Sequence, residues 1–539
     1  MPHSRQNSTG KRPACSALLA VAIGSMLCAP LHADDAKAKP AKDHVSYTVR
    51  PGDTLSQIAG SQMGSAAEWK RLQKLNRIDN PDVLTPGTTL YLPSARGDGK
   101  PVQAEAILVK GEVRFRLRAD GPVAALTSGT LLTTGAVIET GATGLLTLRF
   151  ADGSRMLVSP NSRLTLMQMT LNATSGAAVT RATLETGDIE SFVTRLRGLK
   201  ARYEVKTPTL NLAVRGTAFR ALFDAQSGEA RASVTEGEVK AANEFGDTSV
   251  PAGTGTTAAP GRPPATPRPL LPPPALDERG TAFDTFPLRF SWQQLPGAQR
   301  YRVELHEGGG GDNGLAATAV VDETAARWQR LANGEYRLRI RGVDELKLDG
   351  RNAEFAFKVQ AWPAPPLTAA PAEGAVLGAD RVKFRWARAL DAEYLRFQVA
   401  TDLAFTQLVT DIPKLTGRSN GLTIPLPPGR YFWRIAAGNA SDGAGPFGPI
   451  QEFEVGSARA PTAERARLLH WRSGPPGERY GVQIARQGDF SAPLFDAELA
   501  EAQIAIPEGA GPLYVRIKRI APDGFGGEFE TAQVFDPQD

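Results

Sequence analysis

A chain of 539 residues is far too long for one hydrophobic core, so several domains are expected. Its two cysteines, Cys15 and Cys28, both fall in an N-terminal stretch built like a secretory signal. The mature chain then has no thiol, which excludes disulfides, thiolate metal sites and a cysteine nucleophile. The net charge of +5 falls to +2 once residues 1–33, with three basic and no acidic side chains, are removed, so the basic balance makes no case for a nucleic-acid partner.

In the signal peptide, residues 1–33, Arg5, Lys11 and Arg12 form a basic n-region and residues 14–28 a short apolar h-region. Leu31-His32-Ala33 offers a cleavage site ahead of Asp34-Asp35. Ser25 and Leu27 stand where a lipoprotein box needs Leu and a small residue, so a soluble exported protein, periplasmic or otherwise outside the cytoplasm, is expected. No later run approaches about 18 apolar residues, so no transmembrane helix is expected in the mature chain. Frequent Gly and Pro and short alternating apolar runs predict a mainly β, multidomain protein.

Residues 34–44 read as a linker, and residues 45–94 as the first unit. Tyr47 and Val49 alternate into a Pro51-Gly52-Asp53 turn, and Thr54 stands as a helix N-cap before Leu55, Ile58 and Ala59. A second helix carries Trp69, Leu72 and Leu75, and a closing strand over 88–92 follows Pro86-Gly87. With Asn76 and Leu84 in this order, the stretch resembles the LysM module, a small βααβ fold that binds N-acetylglucosamine-containing glycans, notably peptidoglycan. The resemblance implies a shallow groove between two loops: Gly52, Asp53, Thr54 and Leu55 after the first strand, and Arg77, Ile78, Asp79, Asn80 and Pro81 before the last. Backbone groups there would pair with an acetamido group while an apolar side chain covers its methyl, with no catalyst and no cofactor. In the competing structural reading, Gly52 builds the turn, Thr54 caps the helix and Leu55 fills the core.

After a linker from Ser94 to about Gln103, residues 104–258 carry short, turn-punctuated strands, with Ala151-Asp152-Gly153-Ser154 as a hairpin turn. The stretches 150–162 (Phe-Ala-Asp-Gly-Ser-Arg and onward), 205–219 (Val-Lys-Thr-Pro to Arg-Gly-Thr-Ala-Phe) and 234–239 (Val-Thr-Glu-Gly-Glu-Val) resemble the FecR domain. That family is extracytoplasmic and all-β, best known from a sensor for iron-siderophore uptake; a β-roll or solenoid-like form and a sandwich are both open. Its signalling members carry a cytoplasmic anti-sigma segment and a membrane helix ahead of the domain. Here a signal peptide and a LysM-like unit stand there, so the resemblance implies the fold and the exported setting.

Residues 259–282, with Pro272-Pro273-Pro274, read as a semi-rigid polyproline linker. An internal repeat follows. Phe290-Ser-Trp292, Tyr301 to Leu305 and Gly334-Glu-Tyr336 return as Phe384-Arg-Trp386, Tyr394 to Phe397 and Gly429-Arg-Tyr431. They return again as Leu469-His-Trp471, Tyr480 to Ile484 and Pro512-Leu-Tyr514. Three β-sandwich modules are expected, at 283–361, 365–456 and 461–537, resembling fibronectin type III or immunoglobulin-like modules.

The mature chain holds three histidines, His44, His306 and His470, in different units and without metal-ligand spacing, which argues against a zinc amidase or peptidase. His470, between Leu469 and Trp471, is expected to point out of a strand. No carboxylate pair is nominated for glycoside hydrolysis. The basic run Arg195, Arg197, Lys200, Arg202 and Lys206 and the Arg215-Gly216-Thr217 bend are read as structural, and the Gly308 to Gly311 run as a hairpin tip. The function expected is a non-catalytic scaffold tethered to peptidoglycan or a related GlcNAc polymer, presenting its other domains to an envelope protein partner. The rivals are a sensing component acting with a membrane partner and, last, a cell-wall hydrolase.

Overall fold

The computed structural model describes residues 44–63, 66–93, 99–173, 175–195, 201–214, 216–277, 280–308, 314–378, 381–456, 468–507 and 511–537. The signal peptide, most of the linker after it, Arg197, Lys200, Arg215 and most of the glycine run lie outside the described residues.

The first unit pairs β1 (His44–Thr48) antiparallel with β2 (Thr89–Pro93), and α1 (Leu55–Met63) and α2 (Trp69–Asn76) lie between them in sequence. Apolar spacing in the two helices and alternation in the strands bring Val49, Leu55, Ile58, Leu72, Leu90 and Leu92 into one small core.

From Lys100–Pro101 to Arg268–Pro269 the strands form a path of hydrogen-bonded neighbours that closes into a barrel. The closure turns on one long strand, Ala178–Phe192. Its first half pairs with Arg163–Leu171 and its second half with Ala218–Asp224, so it passes from one sheet to the other. The switch falls at Gly187, with φ 90°, where a Cβ would stand 2.2 Å from Ser162 Oγ. Only glycine accepts both the left-handed backbone and that approach. Inside, Tyr203 is wedged edge-on between Phe150 and Phe219, with ring centroids 5.8 and 6.3 Å away.

The segment expected as a semi-rigid polyproline linker is instead packed against its neighbours. Ala265 N–H donates to Thr257 O, Arg268–Pro269 pairs with the strand Thr254–Ala258, and Leu270 is buried. Further on, Asp277 N–H donates to Ser291 O and Gln293 N–H to Ala275 O. Prolines remove donors without preventing burial. Leu270, Leu271 and Leu276 bring apolar surface that the seam between barrel and first sandwich absorbs, with Leu271 beside Gly342.

The first sandwich sets a five-stranded sheet, in which Arg300–Glu307 lies between Leu315–Val321 and Gly334–Val343, against the pair Leu288–Ser291 and Ala325–Trp328. Trp292, Phe290 and Tyr336 fill its core, and Tyr336 OH donates to Ala332 O, as Tyr431 OH does to Pro427 O in the second. In the third repeat the core position opposite Phe535 is Leu513, and Tyr514 is only half-buried, one residue out of the expected register.

The second and third sandwiches are not separate beads. One five-stranded sheet runs Gly421–Pro425, Arg381–Trp386, Thr368–Ala370, Leu468–His470, Gln503–Ala505, and so crosses both. Arg388–Ala389 also joins the third module's sheet through Gln533–Phe535. Leu367 and Ala387, assigned from sequence to the second module, are buried in the core of the third. The backbone of 365–368 is held there by Gln533, which accepts from Leu367 N–H at 2.8 Å and donates to Pro365 O at 3.0 Å. A fragment spanning 363–537 should therefore melt in a single transition with equal calorimetric and van't Hoff enthalpies; two resolved transitions would contradict the shared sheet.

Barrel and first sandwich meet through charge. On the sandwich, Arg341 (1% exposed) reaches Glu304 at 2.5 Å and Asp349 at 2.9 Å, and Arg302 reaches Asp349 at 3.0 Å. Across the contact, Arg302 pairs with Asp188 at 2.8 Å, and Arg220, paired with Glu190 at 2.9 Å, donates to Gly350 O and Asn352 Oδ1. Burial opposes ionisation of Asp349, but Arg302, Arg341 and Arg220 outweigh it and hold its carboxyl at about 2. An unfolded aspartate titrates near 3.9. This group's contribution, roughly 2–3 kcal/mol, is thus complete above about pH 3.9 and is lost as pH falls toward 2. Asp349→Asn should flatten that acid limb in urea-unfolding midpoints measured from pH 2 to 6.

Candidate functional site

The first loop of the βααβ unit is a turn locked from both ends. Pro51 and Gly52 (φ 86°) stand at the two central positions, and Asp53 N–H donates to Arg50 O at 3.1 Å. The Asp53 carboxylate accepts Arg50 N–H at 2.8 Å and Tyr47 OH at 2.7 Å. These donors, the Arg50 amide first, hold its carboxyl below the usual range, and the same hydrogen bond raises the Tyr47 phenol. Thr54 and Gln57 then form a reciprocal cap: Gln57 N–H donates to Thr54 Oγ1 at 3.2 Å, and Thr54 N–H to Gln57 Oε1 at 3.1 Å.

The second loop leaves α2 through Arg77, which adopts a left-handed conformation (φ 51°, ψ 46°). Gln73 grips the next residue twice: its carbonyl accepts Ile78 N–H at 3.1 Å, and its side chain donates to Ile78 O at 3.0 Å. Asn80 Oδ1 accepts Asp82 N–H at 3.0 Å, closing a turn around Pro81. Asn76 ties this helix end to β2, donating to Tyr91 O at 2.7 Å and accepting Tyr91 N–H at 2.5 Å.

Of the nine residues expected at the groove, Gly52, Thr54, Arg77, Asp79 and Asn80 are exposed, and Asp53, Ile78 and Pro81 are half-buried. Leu55 is 2% exposed, so it belongs to the core rather than to the groove surface. Leu55 and Ile78 join the same apolar cluster, which fixes both loops to one base. Two surface side chains lacked any signal in the sequence: Val83, 64% exposed just beyond the second loop, and Tyr91, 42% exposed on β2. The chemistry on offer is that of fixed backbone donors and acceptors beside small apolar surfaces.

The histidines lie elsewhere. His306 is fully buried, 3.4 Å from Glu304, and His470 is half-buried, with its imidazole pushed down by burial, rather than pointing freely outward. Among the described residues no group of three or more His, Cys, Asp or Glu side chains is placed to hold a metal ion. No described helix is long and apolar enough to cross a membrane, which says nothing of membrane β-barrels.

Two family models match the chain: "LysM domain" over residues 47–93 and "FecR protein" over residues 136–240. An uncharacterized protein of Deinococcus radiodurans is 47% identical over 47 residues, 9% of this chain and 19% of the relative. The chain thus spans about a fifth of that relative's length. Among solved structures, one described as a candidate anti-sigma factor from Parabacteroides distasonis aligns at TM-score 0.22 and 12% identity, over 25% of this chain and 59% of that one. A two-domain fibronectin type III segment of chicken tenascin aligns at TM-score 0.22 and 12% identity, over 34% of this chain and 98% of that one.

Thr54→Ala breaks the reciprocal cap and should cost the βααβ unit about 1 kcal/mol. The change is to be read from urea denaturation followed by the NMR signal of the Trp69 indole, since the chain holds seven tryptophans. An unchanged midpoint would show that the cap does not hold the first loop.

Proposed function

We propose that this chain, which carries a LysM domain followed by a FecR domain and fibronectin type III-like sandwiches, is a non-catalytic exported protein held on peptidoglycan. The binding surface in this reading is the groove between 52–55 and 77–81, where backbone groups pair with the acetamido group of N-acetylglucosamine. Ile78 or the exposed Val83 covers the methyl. The observation that carries the reading is the LysM match over 47–93, together with two loops that are rigidly hydrogen-bonded and anchored by Leu55 and Ile78 on one core. The matched families are binding and signalling domains, which supports a role without catalysis. The barrel and sandwiches are then a scaffold for an envelope protein partner.

The FecR match favours a second reading, in which the barrel passes a signal to a membrane partner. Sedimentation with insoluble peptidoglycan separates tether from bystander. The intact mature chain should pellet and a deletion of 34–100 should stay in the supernatant; equal pelleting of both removes the tethering claim. A single such module binds weakly, so the comparison is made over a range of glycan concentrations.

A further inference from the structure

The three sandwiches share one position at which the molecule makes different choices. Opposite each other on the two central strands of the large sheet stand Glu304 and Arg339 in the first, Gln398 and Arg434 in the second, and Gln483 and Arg516 in the third. In the second, the Arg434 guanidinium lies between Phe405 and Phe447, 3.9 and 4.0 Å from their centroids. In the third, Arg516 lies between Phe490 and Phe529, at 4.1 and 4.6 Å. Those two sheets cover their own arginine with aromatic rings. The first does not. Its Arg339 faces Phe192 of the barrel at 5.9 Å, and the barrel covers this face.

That cover joins charge to a short apolar strip, in which Leu348 of the sandwich packs beside Gly255 and Leu270 of the barrel. Asp188 and Arg302, Arg220 with Gly350 O and Asn352 Oδ1, Arg231 and Leu346 O, and Lys110 and Glu307 (2.6 Å) carry the contact, while Leu315 against Leu145 and Leu157 forms a small apolar patch. Several polar atoms there have no hydrogen-bond partner within the protein: Glu190 Oε2, Arg231 Nη1, His306 Nδ1 and Thr318 Oγ1. Each is desolvated when the contact is closed and gains water when it opens. Desolvation of the ion pairs offsets much of their attraction in the same way. The junction of the second and third sandwiches also buries unpartnered polar atoms, Gln451 Oε1 and His470 Nε2, but it is one continuous hydrogen-bonded sheet over a shared core and cannot part without breaking that sheet.

We infer that the contact between barrel and first sandwich is a releasable clasp. It opens without unfolding either body and uncovers Asp188, Glu190, Phe192, Arg220 and Arg231 on the barrel and Arg302, Glu304 and Arg341 on the sandwich. Glu304, where the other two modules have Gln, and Arg341, where they have Ala436 and Lys518, select the first sandwich as the clasp's other half.

The mature chain has no cysteine, so a single introduced thiol reports the opening cleanly. His306, fully buried, shares the outward face of its strand with Arg302 and Glu304, whereas Leu338, also fully buried, lies in the core of the same sandwich. In the mature full-length protein, H306C should react with a thiol reagent at least tenfold faster than L338C. Asp188→Asn should speed the H306C reaction a further tenfold or more while leaving L338C unchanged. Equal rates at the two thiols would mean that His306 is reached only by global unfolding, which overturns the clasp; so would an H306C rate indifferent to Asp188→Asn. If the doubly substituted protein does not fold, the comparison of H306C with L338C in the otherwise native chain decides alone.

Discussion

Arg341 sits where the barrel meets the first sandwich, sharing Asn352 with the barrel's Arg220. A guanidinium that is almost wholly buried needs its charge balanced and its donors occupied, and Glu304, Asp349 and Asn352 meet that need from three directions. Asp349 and Asn352 belong to the same loop, so satisfying Arg341 fixes the loop that Arg220 and Arg231 of the barrel then grasp. The relative placement of barrel and first sandwich follows from this chain of pairings. The packed proline segment with Leu270 and Leu271 runs along the same seam.

The remaining two sandwiches are assembled by a different logic. Their union is made by backbone: Thr368–Ala370 has a neighbour on each side, one from each repeat. The glutamines Gln533 and Gln451 supply the local hydrogen bonds that a short crossing segment needs. A joint of that kind opens only by breaking a sheet. The protein thus combines a stiff junction with electrostatic ones, since Asp284 and Arg327 of the first sandwich also pair with Arg472 and Asp523 of the third, and the internal repeat makes the contrast visible at equivalent positions. Arg434 and Arg516 are covered by their own module's phenylalanines, two of which, Phe405 and Phe490, accept left-handed backbone (φ 57° and 55°) to do so.

The βααβ unit is small, and its two loops are correspondingly over-determined. Asp53, Tyr47, Thr54 and Gln57 are all engaged with one another or with backbone, and Gln73, Asn76 and Asn80 do the same for the second loop. Side chains spent on holding the backbone leave recognition to peptide groups and small apolar patches.

Much of this was legible in the amino-acid order wherever the cause is local. The Pro51-Gly52 turn, the Thr54 cap, the alternating strands and the three aromatic repeats each depend on residues a few positions apart, whose spacing directly dictates backbone and burial. The anchoring of the second loop by Gln73 and the burial of Leu55 depend instead on what packs around them. The packing of the proline segment has no local signature: composition reports stiffness and missing donors, whereas burial depends on a groove formed by residues about 70 positions further on, at Gly342 and Gly350. The shared sheet and the Arg341 network lack a local signature for the same reason. An arginine in a strand reads as a solvent-facing residue until a carboxylate from a distant loop closes over it, and a three-residue strand has no signature until both its edges are taken. Periodicity and turn chemistry therefore determined the elements and their repeats. Long-range pairing of charges and strand edges, which no local spacing encodes, decided how the elements became one stiff pair and one clasped pair.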